Sequence, residues 1–477
     1  MAVVIIHYHL SAGGVTRVIE ETSRCLARSG IKHVVLTGSA PSWGGLPFRV
    51  IEGLGYRREV DGPTAMELVG GMRSAVEASL GPGPHVWHFH NHSLGVNVRM
   101  AEVVTILARE GERLVLQLHD LAEDGRPRNH PLLANCDPPY PCAPQIRYAF
   151  LNSRDRDRFT AAGLPETQLM VLPNPIRIPD SIPPPTASPA RVLYAVRGIR
   201  RKNLGEVFLL AALSPSGTRY ATTLAPTQEH WLSYFEGWQS FAKRSGLPVD
   251  LAVVGRVATE GGDSSFEAWQ AQATHLLTTS VAEGFGLAFL EAAAIGKPLI
   301  GRDLPAISRD HAAQGVKARR LYERLLIPSS WIDPELLRQH LTGALQKMFE
   351  AYGCDLTCGF VEKVSNALCF HRHLDFGNLP EALQQVALQR LLEGAAADDV
   401  LVEIAGERFP AAGWLEEALA ERRPTATADQ LHHYSPESHL ARLKGLYDEL
   451  LATTPRPPAF VPTHQVLRQY LRPENFH

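Results

Sequence analysis

The stretch SVAEGFGLAFLEAAAIGKPLIG, residues 280–301, sets two glutamates eight positions apart around a Gly-Phe-Gly turn. Residues 287–295 are rich in Ala and Leu, which predicts a helix that begins at the glycines. Gly296 ends such a helix, and Pro298 prevents its continuation before a short buried strand, PLIG. Glu283 then lies at the helix N-terminus, where backbone N–H groups favour an anion. A carboxylate at that place indicates a task other than binding the anion itself.

The composition is that of a globular protein with more than one core. The chain has 477 residues, of which 45% are hydrophobic and 20% charged, which predicts two or three domains. The net charge of −3 at pH 7 argues against a general nucleic-acid binder, which usually carries a basic excess. The N-terminus lacks the basic segment of a signal peptide, and no stretch approaches the roughly 20 apolar residues of a membrane span. We therefore expect a cytoplasmic protein without a transmembrane segment.

The cysteines favour free thiols over a metal site. Cys354 and Cys358 are followed by His371 and His373, but these spacings match no standard structural zinc site. Free thiols in a reducing cytoplasm are the expectation, and zinc is the alternative. The acidic pair in DRD, residues 155–157, is interleaved with arginines, which favours a self-neutralised helix face over a metal-binding pair. We therefore predict no metal site.

Residues 1–178 have the rhythm of a parallel α/β domain. AVVIIHYHL predicts a strand, SAGG a loop, VTRVIEETSRCLARSG a helix and KHVVLTG a second strand. HVWHFH, RLVLQLHD and RYAFLNS predict further strands that end in polar residues, with His90 and His119 among them. Ligand sites in open α/β sheets lie at the carboxyl ends of strands, so these polar ends are candidate binding groups.

The rest of the chain predicts a hinge, a second α/β domain and a helical extension. Residues 179–190 are Pro-rich and predict a stiff hinge. Residues 191–330 resume the alternation with the strands RVLYAV, DLAVVGR, THLLTTS and KPLIG. Residues 331–477 favour helices, because leucines recur on one face of each periodic segment. Two α/β domains joined by a hinge imply a cleft, which is a frequent ligand site.

Two places in the sequence suit an anion. Arg197 ends a predicted strand and Lys202 follows five residues later, so both side chains could converge on one anion. A solvated basic turn is the alternative. Gly13 and Gly14 open the first predicted helix and form a second candidate cradle. The GFGLAF that begins at Gly284 lacks the third glycine of a dinucleotide fingerprint, which argues against that class.

Several of these motifs together resemble one family. AGGVTRVI, LQLHD, NSRDRDRFTAAGLPETQLMVLPNP, VRGIRRKN and EGFGLAFLEAAAIGKPLI occur in the order and spacing of the retaining GT-B glycosyltransferases of the glycogen-synthase-like family 4 type. The resemblance covers roughly residues 1–40 and 85–310. It implies an α/β protein of the GT-B fold, in which two Rossmann-like domains face each other across a cleft. It also implies transfer of a sugar from a nucleotide-diphosphate donor, with retention of the anomeric configuration.

The resemblance implies a role for each charged group. The glutamate that matches Glu283 contacts hydroxyls of the donor sugar, and the one that matches Glu291 binds the ribose hydroxyls. Arg197 and Lys202 match the cations that neutralise the diphosphate leaving group, in place of a metal ion. His119 matches a histidine that faces the donor sugar and its reacting carbon, and a satisfied core histidine is the alternative. Glu283, His119, Arg197 and Lys202 are therefore the predicted catalytic groups.

The other predicted donor contacts come from the backbone. The N–H groups of Phe285, Gly286 and Leu287 are expected beside the sugar and the phosphate, and Gly13 and Gly14 are expected near the donor. The resemblance implies that the donor is a UDP-, GDP- or ADP-sugar, which is a substrate, and we expect that no cofactor is required.

The first domain usually supplies the acceptor site in this family, so its strand-end loops are expected to bind the acceptor. HFHNHSLGVN offers groups suited to hydroxyl-rich ligands, namely His90, Asn91, His92 and Asn97. The loop after His119 offers Arg126 and Arg128, a cationic pair that suits a carboxylate or a phosphate. We therefore predict a small, soluble, polar and anionic acceptor. The alternative is that the two arginines only solvate a long loop.

Two other functions suit such a fold. A sugar-nucleotide epimerase or a phosphorylase is one, and a catalytically silent protein that binds sugar nucleotides is the other. The E-x7-E spacing favours transfer, and a mere binder does not need Glu283 and His119 together.

Asn174 precedes Pro175 where the family has Asn-Gly, which stiffens the hinge. Family tails return to the first domain, so part of the extension is expected there, and the remainder offers a surface for a homo-oligomer.

Overall fold

The computed structural model divides the chain into two compact units. It describes residues 1–11, 13–41, 44–134, 136, 138–178, 189–255, 265–427 and 429–473. Unit 1 comprises residues 1–176, 347–355 and 433–472, and unit 2 comprises 177–346, 356–432 and 473–477. Residues 179–188 of the predicted hinge lie outside the described residues. The predicted α/β class is confirmed, because each unit is built on a parallel sheet.

Unit 1 begins with alternating strands and helices. The strands are β1 (Ala2–His7), β2 (Lys32–Thr37), β3 (Phe48–Val50), β4 (Val86–His90), β5 (Arg113–Leu118), β6 (Tyr140–Cys142), β7 (Ile146–Phe150) and β8 (Leu169–Val171). The helices are α1 (Gly14–Arg28), α2 (Ala65–Leu80), α3 (Met100–Arg109), α4 (His130–Ala134) and α5 (Ser153–Ala161). Val4 and Ile6 of β1 enter one hydrophobic core, whereas Val3 and Ile5 enter another. Both faces of the sheet are therefore buried, which explains the continuous apolar runs of its strands.

The strand order of unit 1 places a ligand crevice at one known edge. The order is β3-β2-β1-β4-β5-β7-β8, and all neighbours pair in parallel. The order reverses between β1 and β4, and doubly wound sheets bind ligands outside the carboxyl ends of the strands at such a reversal. The loop after β1, which leads to Gly13 and Gly14, begins at this reversal, and so does the loop after His90.

Unit 2 repeats this architecture. Its strands are β9 (Arg191–Arg197), β10 (Arg219–Leu224), β11 (Val249–Asp250), β12 (His275–Thr278), β13 (Leu299–Arg302), β14 (Arg320–Tyr322) and β15 (Arg324–Pro328). Its helices up to this point are α6 (Leu204–Leu213), α7 (Leu232–Ser245), α8 (Phe266–Gln272), α9 (Leu287–Ala294) and α10 (Pro305–Ala313). The parallel sheet has the order β11-β10-β9-β12-β13-β14, so the order reverses between β9 and β12. The motifs that follow these two strands therefore meet at one crevice.

One predicted strand of unit 2 is much shorter than expected. DLAVVGR predicts a strand over residues 250–256, whereas β11 ends at Asp250. Ala252 has a φ of 55°, a left-handed conformation that turns the chain out of strand geometry.

The predicted helical extension is helical only in part. Residues 331–432 contain α11 (Pro334–Ala351), α12 (Cys358–Leu368), β16 (Cys369–Phe370), β17 (His373–Asp375), α13 (Glu381–Leu392), β18 (Leu401–Ile404), β19 (Glu407–Pro410) and α14 (Ala411–Ala420). The four strands join β15 in a sheet of order β16-β17-β15-β18-β19, in which all neighbours are antiparallel. Ala405 and Gly406 both have positive φ, which suits the two-residue hairpin between β18 and β19. We call this five-stranded sheet, together with α12, α13 and α14, the antiparallel module.

The last part of the chain packs within unit 1. It contains α15 (Pro436–Ala452), β20 (Ala459–Val461) and α16 (Thr463–Tyr470). Leu443, Leu446 and Leu450 of α15 share the core that holds Val3 and Ile5. β20 pairs with β6 as an antiparallel ribbon.

Across the described ranges, no helix is both long and apolar enough to cross a membrane. The cleft and the homo-oligomer stay predictions, as do the domain boundaries.

Candidate active site

The crevice of unit 2 brings a lysine and a glutamate together. Lys202 lies in a single turn of 3-10 helix after β9, and Glu283 lies in the loop after β12. The Lys202 Nζ and Glu283 Oε1 atoms form an ion pair, and the side chains are only 16% and 14% exposed. Ser280 Oγ donates to the same Oε1 over 2.6 Å, and the buried Tyr194 hydroxyl bonds Ser280 Oγ, also over 2.6 Å. The carboxylate is therefore fixed from two sides.

The charges around Glu283 stabilise its ionised form. Burial acts to raise the pKa of the Glu283 carboxyl, but Lys202 and Arg201 outweigh burial, so this pKa lies below its usual value. Burial lowers the pKa of the Lys202 ammonium, whereas Glu283 and Glu291 act to raise it. Glu283 is therefore suited to accept hydrogen bonds rather than to donate a proton. Arg201 was not among the predicted site residues, although RRK in the sequence could have indicated it.

The loop that carries Glu283 leads directly into α9. Gly286 has a φ of 73°, and a Cβ there would meet Phe289 Cδ2 at 2.9 Å and Ile307 Cγ2 at 3.0 Å. Only glycine suits both the left-handed backbone and the lack of space. His311 Nε2 lies 2.8 Å from the Phe285 carbonyl oxygen and fixes the backbone before the glycine. The N-terminus of α9, which begins at Leu287, is thus held next to the loop that carries Glu283. The predicted contacts of residues 285–287 with the donor stay predictions.

The structure does not pair the two predicted phosphate cations with each other. Arg197 is the last residue of β9 and is half-buried, and its Nη1 donates to Thr227 Oγ1 over 3.3 Å. Lys202 instead contacts Glu283. Glu291 lies on α9, half-buried, and is close enough to Lys202 to act on its pKa. The convergence of Arg197 and Lys202 on one anion stays a prediction.

In unit 1, the predicted catalytic histidine is part of a stacked pair. His90 Nδ1 and His119 Nε2 are 2.8 Å apart, and the two ring centroids are 5.1 Å apart with the ring planes nearly parallel. Burial lowers the pKa of His119 to about 3 and that of His90 well below its usual value. Both rings are therefore neutral at pH 7. His119 is 8% exposed and His90 is 2% exposed, so of the two only His119 has an appreciable surface.

The two predicted acceptor asparagines hold the backbone. Asn91 has a φ of 62°, and its Oδ1 accepts from the backbone N–H of His119 over 2.7 Å and of Asp120 over 3.1 Å. Asn97 Nδ2 donates to the Gly53 carbonyl over 2.8 Å, and its Oδ1 accepts from the Arg99 N–H over 2.9 Å. These contacts give both residues a structural task. His92 is 2% exposed, and burial lowers its pKa to about 3.

The two predicted acceptor arginines differ in their surroundings. Arg126 forms an ion pair with Asp120 and donates to the carbonyls of Leu121 and Asp124 over 3.2 and 3.1 Å. Arg128 is exposed, and its side chain makes no ion pair with the described part of the chain. Arg58 lies next to it, because Arg58 Nη1 donates to the Arg128 carbonyl over 3.0 Å. Arg128 on this loop and Arg58 on the loop after β3 are both exposed and suit an external anion.

The predicted glycine cradle lies at the start of α1. Gly13 has an extended φ of 178°, and no side chain caps the helix. A Cβ on Gly14 would meet no heavy atom within 4 Å. The packing of the described chain therefore does not require these glycines, and they leave the helix N-terminus uncovered. Among the described residues, no three His, Cys, Asp or Glu side chains are grouped to hold a metal ion, and none of the six cysteines forms a disulfide.

Comparison with known proteins gives distant relatives. No protein family model matches the sequence. The mannosylglucosyl-3-phosphoglycerate synthase of Petrotoga mobilis is 24% identical over 362 residues, which span 68% of this chain and 69% of the relative. Two solved structures are similar with a TM-score of 0.49 each. HepE of Anabaena in complex with UDP-glucose is 14% identical over 93% of this chain and 99% of its own. A glycosyltransferase from Rickettsia africae is 9% identical over 95% of this chain and 100% of its own. The predicted resemblance to glycosyltransferases is thus found again in the relative from Petrotoga mobilis.

Proposed function

We propose that the protein is a retaining, metal-independent glycosyltransferase that moves a sugar from a nucleotide-diphosphate sugar to a small, polar, anionic acceptor. The observation that carries the proposal is the ion pair of Lys202 and Glu283 at the point where the strand order of unit 2 reverses. Open α/β sheets bind nucleotides at this place. The E-x7-E stretch supplies Glu283 there, and the turn after β9 supplies Lys202.

In this proposal, unit 2 binds the donor and stabilises its leaving group. Negative charge develops on the nucleoside diphosphate as the glycosidic bond breaks, and fixed cations in a partly buried crevice stabilise it. Lys202 and Arg197 supply these cations, with Arg201 as a third positive charge near Glu283. The ionised Glu283 accepts hydrogen bonds from sugar hydroxyls, and Glu291 binds the ribose. The N-terminus of α9 adds backbone N–H groups beside the phosphates.

Unit 1 binds the acceptor in this proposal. The Petrotoga mobilis relative is named for mannosylglucosyl-3-phosphoglycerate, a compound with a phosphate and a carboxylate, which supports an anionic acceptor. Arg128 and Arg58 lie on contacting loops of unit 1, where Arg58 donates to the Arg128 carbonyl, and both cations suit these groups. His119 is neutral, so it contributes a hydrogen bond near the reacting carbon rather than a positive charge.

A screen of donors and acceptors tests the proposal. The purified protein is incubated with UDP-, GDP- and ADP-sugars, alone and with glycerate, 3-phosphoglycerate or glucosyl-3-phosphoglycerate. Slow donor hydrolysis that an anionic acceptor converts into transfer is the expected result. An isomerised donor indicates an epimerase, and tight nucleotide binding without turnover indicates a silent binding protein. Either of these two results contradicts the proposal.

A further inference from the structure

The turn that carries Lys202 is held by the antiparallel module. We call residues 375–384, which lead from β17 into α13, the brace. Arg200 Nη2 donates to the Gly377 and Leu379 carbonyls of the brace over 3.2 and 2.9 Å. Gln384 Nε2 donates to Asn203 Oδ1 over 2.9 Å. The residues on either side of Arg201 and Lys202 are therefore both tied to the brace.

Asn203 has a left-handed backbone, and contacts on two sides hold it. Its φ is 51° and its ψ is 62°, an uncommon conformation for a residue with a side chain. Gln384 Nε2 donates to the amide oxygen of Asn203, and Asn203 Nδ2 donates to the Glu206 carboxylate over 2.8 Å. From the opposite direction, Thr279 Oγ1 donates to the Lys202 and Asn203 carbonyls over 3.0 and 3.2 Å. The turn is thus fixed between the loop after β12 and the brace.

Two glycines allow the brace to approach this closely. A Cβ on Gly377 would lie 2.3 Å from Arg302 Nη2 and 2.6 Å from Glu206 Oε2. A Cβ on Gly205, in the first turn of α6, would lie 2.3 Å from Gln384 Oε1. Neither glycine has a positive φ, so the lack of space, and not the backbone, requires glycine at these positions.

A buried ion cluster attaches the brace to the parallel sheet. Arg302 at the end of β13 pairs with Glu206 over 2.8 Å and with Asp375 over 2.7 Å, and the three side chains are 3%, 0% and 2% exposed. Tyr322 also donates to Glu206 over 2.5 Å. Removing one partner of such a cluster leaves an uncompensated buried charge, so all three partners are needed to hold the brace against the sheet.

We propose that Gln384 is a positioning residue of the donor site. The brace holds the 200–203 turn through Gln384 so that Lys202 meets Glu283 and, as the proposed function requires, the diphosphate of the donor. Catalytic groups act at full strength only when their supporting residues hold them in place, since a small displacement costs rate. The antiparallel module therefore contributes to the donor site indirectly, because it positions the 200–203 turn.

The test compares two glutamines of the same helix. Gln384→Met keeps the length of the side chain but removes its hydrogen bonds, and Gln389→Met changes an exposed glutamine five positions along α13. Hydrogen exchange is measured at the amides of Lys202 and Asn203, which donate to the Ile199 and Arg200 carbonyls. In Gln384→Met, we expect about tenfold faster exchange at these amides and about tenfold lower kcat/KM for the donor. Gln389→Met should match the wild type in both measurements.

Unchanged exchange at the turn in Gln384→Met overturns the proposal, and so does faster exchange with unchanged donor kinetics. If Gln384→Met does not fold, Asn203→Gly replaces it, because glycine adopts the left-handed backbone freely and lacks the amide that Gln384 binds. The exchange measurement needs no substrate. A wild type that turns over no nucleotide sugar therefore contradicts the proposed function, while the exchange at Lys202 still decides whether Gln384 positions the turn.

Discussion

Lys202 and Glu283 are 81 positions apart in the sequence, and their side chains form an ion pair at the carboxyl ends of two adjacent strands, β9 and β12. The strand order of unit 2 reverses between these strands, so the loops that follow them diverge and leave a crevice. The pair lies in this crevice with Ser280 bound to the same carboxylate oxygen. The proposed donor site depends on this relationship.

The first prediction concerns the cations. Lys202→Met and Arg197→Met should each lower kcat for donor turnover by about a hundredfold or more, which corresponds to about 3–4 kcal/mol for a preorganised electrostatic partner. The measurement is the release of nucleoside diphosphate. Arg191→Met is the matched control, because Arg191 lies at the opposite end of β9 and is exposed. Turnover by Lys202→Met within a few-fold of the wild type would refute this role.

The sequence predicts each half of this pair but not their contact. The Ala- and Leu-rich run after Gly286 predicts α9 to within one residue, because local propensity and a glycine stop suffice for a short helix. The ion pair depends on which strands are neighbours, and the chain order does not give this. The sequence also indicates His90 as a ligand group, which stays a prediction, but it does not indicate that the ring is buried against His119.

The sequence does not predict the antiparallel module, and the reason is a different one. Its strands have two to five residues, so their period-two pattern is short and is embedded between leucine-rich helices. One signal was present, because LVEI and ERFP flank Ala405 and Gly406 as a hairpin would. The contacts of Gln384 could not be read from the sequence, since they depend on the packing of this module against β13 and α6.

The second prediction is that EDTA leaves donor turnover largely unchanged. Fixed cations replace a metal ion on the diphosphate in the proposed mechanism, so removal of free divalent cations does not alter the stabilisation of the leaving group. The rate of nucleoside diphosphate release is measured with and without EDTA. Loss of activity that Mn²⁺ restores would contradict the metal-independent mechanism.

The third prediction separates the two glutamates. Glu291→Gln should mainly raise KM for the donor, because a ribose contact is equally strong in the ground state and the transition state. Glu283→Gln should mainly lower kcat, because in the proposed site the carboxylate contacts the reacting sugar, and it is paired with Lys202. Steady-state kinetics with varied donor distinguish these effects. If both variants changed KM alone, the assigned roles would be wrong.

The fourth prediction concerns the acceptor. Arg128→Ala and Arg58→Ala should each raise KM for an anionic acceptor about tenfold, the loss expected for one charge-assisted hydrogen bond. Hydrolysis of the donor without acceptor should stay at the wild-type rate. Arg126→Ala removes the partner of Asp120 as well, so its effect includes a local rearrangement. Arg49→Ala, at an exposed position of β3, is the control. Unchanged acceptor kinetics in Arg128→Ala would reject the anionic acceptor site.

The fifth prediction concerns stability in acid. Burial lowers the pKa values of several histidines of unit 1. Those of His7 and His88 fall to about 4, and those of His92, His119 and His439 fall to about 3. Between these values and the ordinary value of 6.5, the unfolded chain binds more protons than the folded chain. The free energy of unfolding should therefore fall as the pH is lowered from 6.5 towards 4.

Glu123 acts in the opposite direction over part of this range, because burial raises its pKa from 4.5 to about 7. Denaturant unfolding at several pH values measures the net slope. His88→Gln should reduce that slope by about 1.4 kcal/mol per pH unit near pH 5, since one titrating group is lost. A slope in His88→Gln equal to that of the wild type would contradict the lowered pKa of His88.

The anomeric configuration of the product tests the central claim most directly. The protein is given a nucleotide α-sugar that it hydrolyses, together with an anionic acceptor such as 3-phosphoglycerate, and the anomeric proton of the product is observed by NMR. A retaining glycosyltransferase with its donor site at Lys202 and Glu283 produces the α-glycoside, and Lys202→Met produces it at about a hundredth of the rate or less. A β-glycoside, or an isomerised donor in place of a glycoside, would contradict the account.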